Sequence, residues 1–207
     1  CYYFRLYYFF FKTLEKEKYL IIYNENNPYS VNLKDNINQT LEYMKKEVVI
    51  ASLSEIPASF NDFHNVIVAL EEVSQISNLN TLETYTAEGG RVFFAIRPEI
   101  NDSLQNLYRK LGIYEVGEFI TSNGMKLTSN VLIKQNQLVM ERAEIGDNSS
   151  LSVGIDNRST VYMESIDEVP LLWDIPYENG KFMVFNGSLL GSKENRGLIT
   201  GAISILN

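Results

Sequence analysis

Nucleophilic catalysis requires a thiol or hydroxyl activated by a neighbouring base, and this chain supplies one thiol and one imidazole, Cys1 and His64, among 207 residues. Cys1 stands at the extreme end, outside any strand or helix pattern. His64 precedes an apolar run, which puts it on the amino-terminal side of a parallel sheet, where active sites are not built. It is expected to be a surface or packing residue. No G-x-S-x-G elbow occurs, which excludes a serine hydrolase of the usual α/β type. The Gly89-Gly90 pair leads into a strand rather than joining strand to helix, so it is not a phosphate-cradling loop. With so little His and Cys, and no carboxylates at calcium-loop spacing, no metal and no cofactor are expected. Paired carboxylates remain. Glu25, Glu71 and Glu99 each follow an apolar run, and two carboxyl groups facing one another at roughly 5 to 9.5 Å suffice for glycosidic chemistry. Acidic residues number 26 in this chain, so three near strand ends also arise without any function.

A second kind of chemistry is recognition. Ligands of open parallel sheets bind at the carboxyl ends of the strands, and the segments after the apolar runs are polar: Asn24 and Glu25, Glu71, Arg97 and Glu99, then Asn186. Asn195 and Arg196 introduce the last helix. A mixture of Asn, Glu and Arg without a basic excess suits hydrogen bonding to sugar hydroxyls, with Trp173 as a stacking face. The alternative for each residue is structural, since Asn and Asp at strand ends close turns and cap helices.

These positions depend on the elements that carry them. Tyr19–Tyr23, Val48–Ala51, Asn65–Leu70 and Arg91–Ile96 are short apolar runs of the kind buried on both faces, and they predict strands. Between them, Val31, Leu33, Ile37, Leu41 and Met44 recur at three- and four-residue steps and predict a helix over Tyr29–Lys46. Leu79–Glu88, stopped by the glycine pair, and Ser103–Leu111 predict two more helices. Strands alternating with helices imply right-handed crossovers. The expected fold class is therefore α/β, with a mostly parallel central sheet and helices on both faces.

From about residue 113 to 165 the texture changes to short alternating runs, among them Glu118–Ile120, Val131–Ile133, Leu138–Met140 and Thr160–Met163, which predict an antiparallel β insertion. Val169–Trp173 and Lys181–Phe185 follow as strands around a tight turn at Asn179-Gly180, and Gly197–Leu206 predicts the last helix. Residues 18–207 thus read as one α/β domain. The 45% apolar and 21% charged composition is that of such a domain. The net charge of -8 has the wrong sign for a protein that neutralises phosphates, so nucleic acid is not an expected partner.

Residues 1–17 form an aromatic segment turning into Lys and Glu. Tyr and Phe crowded beside Lys suit the interfacial end of a membrane anchor whose earlier part is missing. The chain opens without Met and stops after an apolar run without a cap, as expected of a piece of a longer protein.

The segment Leu82 to Phe94, with its Gly89-Gly90 pair, resembles the helix, glycine pair and strand of class I glutamine amidotransferase-like domains, in particular the sugar-related branch that includes the β-galactosidase trimerisation domain. Gly180 to Ser188 and Asn195 to Leu198 are similar to the last strand and helix of that group. The closing motif with Pro170 to Trp173 also resembles an uncharacterised bacterial family of Pel-type exopolysaccharide loci, in which this domain precedes a polysaccharide-deacetylase-like part. The resemblance implies a three-layer flavodoxin-like sandwich. A working amidotransferase carries a Cys on the turn after a central strand and a late His-x-Glu pair. Here the turn after Phe94 reads Ala95-Ile96-Arg97-Pro98-Glu99, and no His follows residue 64.

The resemblance therefore implies a non-catalytic accessory domain of an extracytoplasmic or membrane-associated bacterial protein of exopolysaccharide synthesis or modification. Its partners would be a polysaccharide or an adjacent deacetylase-like domain. Asn24, Glu25, Glu71, Arg97, Glu99, Trp173, Asn186, Asn195 and Arg196 are the expected lining of its ligand site, with no catalytic residue among them. Two other readings stand beside it: a carboxylate-dependent glycan-active enzyme using Glu25, Glu71 or Glu99, and a protein–protein interaction module with the aromatic N-terminus as its contact.

Overall fold

The computed structural model describes residues 17–77, 79–128 and 148–207. The apolar runs become β1 (Lys18–Tyr23), β2 (Glu47–Ser52), β3 (Asn65–Ala69) and β4 (Arg91–Ile96). All lie parallel to one another, and β4 pairs in parallel with β10 (Gly180–Asn186). On the far side of β10 the direction reverses. There β9 (Pro170–Tyr177), β8 (Thr160–Ser165) and β6 (Met125–Leu127) extend the same sheet as an antiparallel meander, giving the order β2-β1-β3-β4-β10-β9-β8-β6.

Side-chain alternation sends the two halves of each strand to opposite cores. Tyr19, Ile21, Ile67, Phe93 and Phe185 face α1 (Pro28–Tyr43) and α4 (Arg196–Leu206). Leu20, Ile22, Val68, Phe94 and Phe182 face α2 (Leu79–Ala87) and α3 (Gln105–Lys110). The expected parallel sheet with helices on both faces is present, because strands buried on both sides are apolar at nearly every position.

The insertion divides in two. β5 (Ile113–Ser122) and β7 (Asn148–Ile155) form a separate antiparallel ribbon whose Ile113, Leu151 and Val153 pack into the α2/α3 core, whereas β6 and β8 belong to the central sheet. The runs at Val131–Ile133 and Leu138–Met140 lie outside the described residues, as do residues 1–16.

Periodicity misjudged part of α1. Its buried stripe includes Asn36 and Thr40, while Val31 is only half-buried. The Asn36 amide donates to the carbonyls of Leu190 and Gly191, at 3.2 and 2.9 Å, so a polar hook docks the segment before α4.

The turn between β9 and β10 also differs from expectation. Tyr177 pairs with Gly180, which leaves Glu178 and Asn179 as the two loop residues, with Glu178 at φ 50°. Gly180 is the first residue of the strand, and its role is spatial. A Cβ there would sit 2.1 Å from the Gly90 carbonyl oxygen and 2.3 Å from that of Thr86, both backbone atoms at the end of α2. Gly180→Ala is expected to cost about 1–3 kcal/mol through overpacking, read as a lower urea midpoint at unchanged m-value.

Candidate functional site

The parallel strands run in the order 2-1-3-4 followed by β10, so the chain leaves β1 and β3 in opposite directions across the sheet. The crevice above that switch is where such folds place ligands. Polar links span it. Asn24 donates its side-chain N–H to Gln75 Oε1 at 2.9 Å, and Asn27 donates to Glu71 Oε2 at 2.7 Å. Both join the loop after β1 to the loop after β3. The loop after β4 is joined in turn: Arg97 donates to Glu71 Oε1, and Glu99 Oε1 accepts the Ser74 backbone N–H at 2.9 Å.

Local sequence explains why these loops are held. Asn27 caps α1, with Oδ1 accepting the Ser30 N–H at 2.9 Å and Pro28 at the first helical position. The same side chain therefore caps a helix with one atom and reaches Glu71 with the other. Ser30, buried, donates to the Ala69 carbonyl at 2.6 Å and accepts the Asn24 N–H at 2.8 Å. Tyr108 of α3 fixes the loop after β4 by accepting the Glu99 N–H and donating to the Glu99 carbonyl, both at 2.8 Å. Tyr29 donates to the Gly187 carbonyl at 3.3 Å, and burial, with Glu71 nearby, pushes its phenol above the ordinary range against the opposing charge of Arg97.

The three candidate carboxylates have separate partners. Glu71 is neutralised by Arg97, with both side chains less than a third exposed. Glu99 is bound to the Ser74 amide. Glu25 is exposed and accepts from the Ser54 hydroxyl at 2.8 Å; its own backbone N–H and that hydroxyl hold its carboxyl below the usual range. A general acid needs the opposite shift. The edge is thus a pre-ordered array of amide, carboxylate and guanidinium groups suited to hydrogen bonding.

Asn24, Glu71, Arg97 and Glu99 come together here, with Glu25 on the flank towards β2. Four other expected site residues do not join them. Trp173 is fully buried in the middle of β9, and its indole N–H donates to the Leu111 carbonyl at 2.8 Å, so it has no face for stacking; it satisfies an orphan carbonyl at the end of α3. Asn186 is also fully buried: Oδ1 accepts the Leu151 N–H at 3.2 Å, while Nδ2 donates to the carbonyls of Leu151 and Pro170 at 2.8 and 3.1 Å. Its amide pairs with Leu151 as a neighbouring peptide would. Asn195 is buried and donates to the Leu189 carbonyl at 3.0 Å. Arg196 donates to Gln39, which lies about 18 Å along α1 from Asn27 at 1.5 Å per residue.

Tyr29, Ser30 and Gln75 are the members that reading the sequence missed, and Asn27, a polar residue of the loop after the first strand, was not among the expected lining. Asn27-Pro28 before an apolar-periodic run is a helix-start signal and was the available clue. At the opposite edge, His64 is exposed, and its Nδ1 accepts the Lys18 N–H at 3.0 Å. Among the described residues no three His, Cys, Asp or Glu side chains are grouped to hold a metal ion, and no helix is long and apolar enough to cross a membrane.

The five parallel strands and the helical layers on both their faces form a class I glutamine amidotransferase-like fold. Two solved structures show it over nearly their whole length. The ThuA-like protein of Parabacteroides merdae matches with TM-score 0.61 at 12% identity over 91% of this chain and 89% of its own. That of Bacteroides uniformis matches with TM-score 0.60 at 13% identity over 90% and 89%. The chain belongs to the family described as "Uncharacterised protein conserved in bacteria (DUF2194)", whose model matches residues 6–152. It is also similar in fold to an exo-β-1,4-mannosidase of Opitutaceae bacterium strain TAV5, with TM-score 0.59 and 12% identity over 94% of this chain. A β-galactosidase of Bacillus circulans matches with TM-score 0.57 and 15% identity over 92% of this chain. The match spans 36% of the mannosidase and 30% of the galactosidase, about a third of each. No curated protein matches the sequence.

Two measurements check this assignment of roles. Trp173→Phe keeps an aromatic but smaller side chain and strands the buried Leu111 carbonyl, and is expected to cost about 1–3 kcal/mol in chemical denaturation. A variant as stable as the parent would show that the indole N–H contributes nothing to holding the end of α3. Burial raises the Tyr108 and Tyr85 phenols to about 12. Their folded values lie above the unfolded value of about 10, so the stability they contribute is complete below pH 10 and is lost as pH rises towards 12. Tyr108→Phe should remove one tyrosinate transition near pH 12 and speed hydrogen exchange of the Glu99 amide. Unchanged protection of that amide would show that the loop is held by other contacts.

Proposed function

We propose that this chain is a non-catalytic accessory domain of an extracytoplasmic or cell-membrane-associated bacterial protein of exopolysaccharide synthesis or modification, which binds glycan or positions an adjacent deacetylase-like domain. One observation carries the reading. At the switch-point edge every candidate carboxylate is engaged with a separate partner, Glu71 with Arg97 and Asn27, Glu99 with Ser74 and Glu25 with Ser54, so the edge presents ordered donors and acceptors in place of a free acid and base. Amide, carboxylate and guanidinium groups of this kind hydrogen-bond vicinal hydroxyls. The fold's occurrence within a mannosidase and a galactosidase, as about a third of each chain, agrees with a domain that accompanies glycan chemistry performed elsewhere in a longer protein.

The test is a titration of the uniformly 15N-labelled chain with neutral and amino-sugar hexasaccharides. Amide shifts are expected to concentrate at Glu71–Gln75 and Arg97–Asp102 and to leave Trp173 and Asn186 unmoved. Absence of any shift would leave the positioning of a neighbouring domain as the reading. Release of new reducing ends during the titration would replace it with a carboxylate-dependent glycan-active enzyme.

A further inference from the structure

The loop after β4 borders a second concavity that none of the expected residues except Glu99 touches. It is a cleft of about 370 Å³ between Glu99–Asp102, the exposed side of α3 and the start of β5, with Tyr108, Ile113 and Val116 at its base. Small-molecule sites occupy about 300–1,000 Å³. Two large side chains stand unusually open on its rim, Ile100 at 67% and Tyr114 at 68% exposure.

Tyr114 is exposed but supported. Its ring lies against Gly154 on the paired strand β7, where an added Cβ would meet ring atoms at 3.0 and 3.1 Å and the Glu115 Cβ at 3.1 Å. With no side chain at 154, Cε2 and Cζ of the Tyr114 ring lie close over β7, while most of the side chain stays open to solvent. Across the cleft, Asp102, Gln105 and Arg109 recur at three- and four-residue steps and are all exposed. No ion pair engages Asp102 or Arg109 among the described residues. An aromatic platform facing a stripe of carboxylate, amide and guanidinium matches the two surfaces of a pyranose: an apolar face of C–H groups and a rim of hydroxyls. Glu99 and Asp102 line the cleft with two carboxylates against the one guanidinium of Arg109, which disfavours an acidic sugar.

We infer that this cleft is a carbohydrate subsite for a neutral hexopyranose chain, with Tyr114 stacking on one sugar ring and Asp102, Gln105 and Arg109 hydrogen-bonding its hydroxyls. The inference rests on the glycan-binding reading above and locates the contact. Glu99 and the segment from Arg97 join the cleft to the switch-point edge, so one saccharide chain can lie across both.

Calorimetric titration of the full chain with β-1,4-mannohexaose, β-1,4-galactohexaose, cellohexaose and oligogalacturonate tests it. At least one neutral hexasaccharide is expected to bind and the uronate is not. Tyr114→Ala should weaken binding about tenfold or more, which corresponds to loss of one substantial contact, while Tyr114→Phe, which keeps the ring, should stay within about threefold. Gly154→Ala should also weaken binding, because its methyl displaces the ring. Tyr43→Ala, at another highly exposed tyrosine on α1, should change nothing. Undiminished binding by folded Tyr114→Ala would overturn the subsite and leave glycan binding standing. Binding of the uronate in preference to the neutral chains would overturn the choice of ligand. Failure of every saccharide to bind the parent chain would overturn the subsite and the glycan-binding reading together.

Discussion

β10 is the strand on which the rest of the structure depends, because it must hydrogen-bond in parallel to β4 on one side and antiparallel to β9 on the other while buried on both faces. Each of its ends meets a separate requirement. At the start, Gly180 lies so close to the carbonyls closing α2 that no side chain fits. At the finish, Asn186 offers its amide as a substitute peptide to Leu151, which ties the β5–β7 ribbon to the sheet with no strand paired between them. Gly187 follows at φ 141° and leaves room for the Asn148 side chain, which accepts from Ser188 and Leu189. An unpaired amide at this depth would cost more than a hydrogen bond gains, so the ribbon and the sheet are fixed in one register.

That register sets the character of the carboxyl edge. With α1 started by Asn27 and the loop after β4 held by Tyr108, the crevice between β1 and β3 is crossed by side-chain links that owe their geometry to fixed backbone. The Arg97–Glu71 pair is partly exposed, and pairs of that kind contribute at most about 1 kcal/mol. Its consequence is order more than stability: a guanidinium and a carboxylate held in place lose little further entropy when a ligand arrives. The same economy applies to Tyr114, whose ring is supported by a glycine of the neighbouring strand.

Much of the fold is legible in the residue order. The strands β1, β3 and β4 are continuous apolar runs because both of their faces are covered, and the helices between them carry their own start and stop signals. Asn24, Glu71, Arg97 and Glu99 were found by a rule of topology, since loops after parallel strands share an edge whatever their composition. Tyr29 escaped because it resembles an ordinary helix residue, and Asn27 was not among the expected lining because it resembles an ordinary loop residue.

Composition and periodicity by themselves determined the α/β class, the alternation of elements and the scarcity of nucleophiles and bases. Only the tertiary structure decided the roles of Trp173, Asn186, Asn195 and Arg196. Each is a polar or amphipathic side chain in a position that suits a ligand, and each takes its hydrogen-bond partner from an element distant in sequence or from the preceding turn: Leu111, Leu151, Leu189 and Gln39. A buried polar side chain nearly always finds at least one hydrogen-bond partner, but the sequence does not say which. The partner is fixed only when the chain closes on itself, and that closure turned an expected cleft residue such as Trp173 into a core residue and left the unremarked Tyr114 facing solvent.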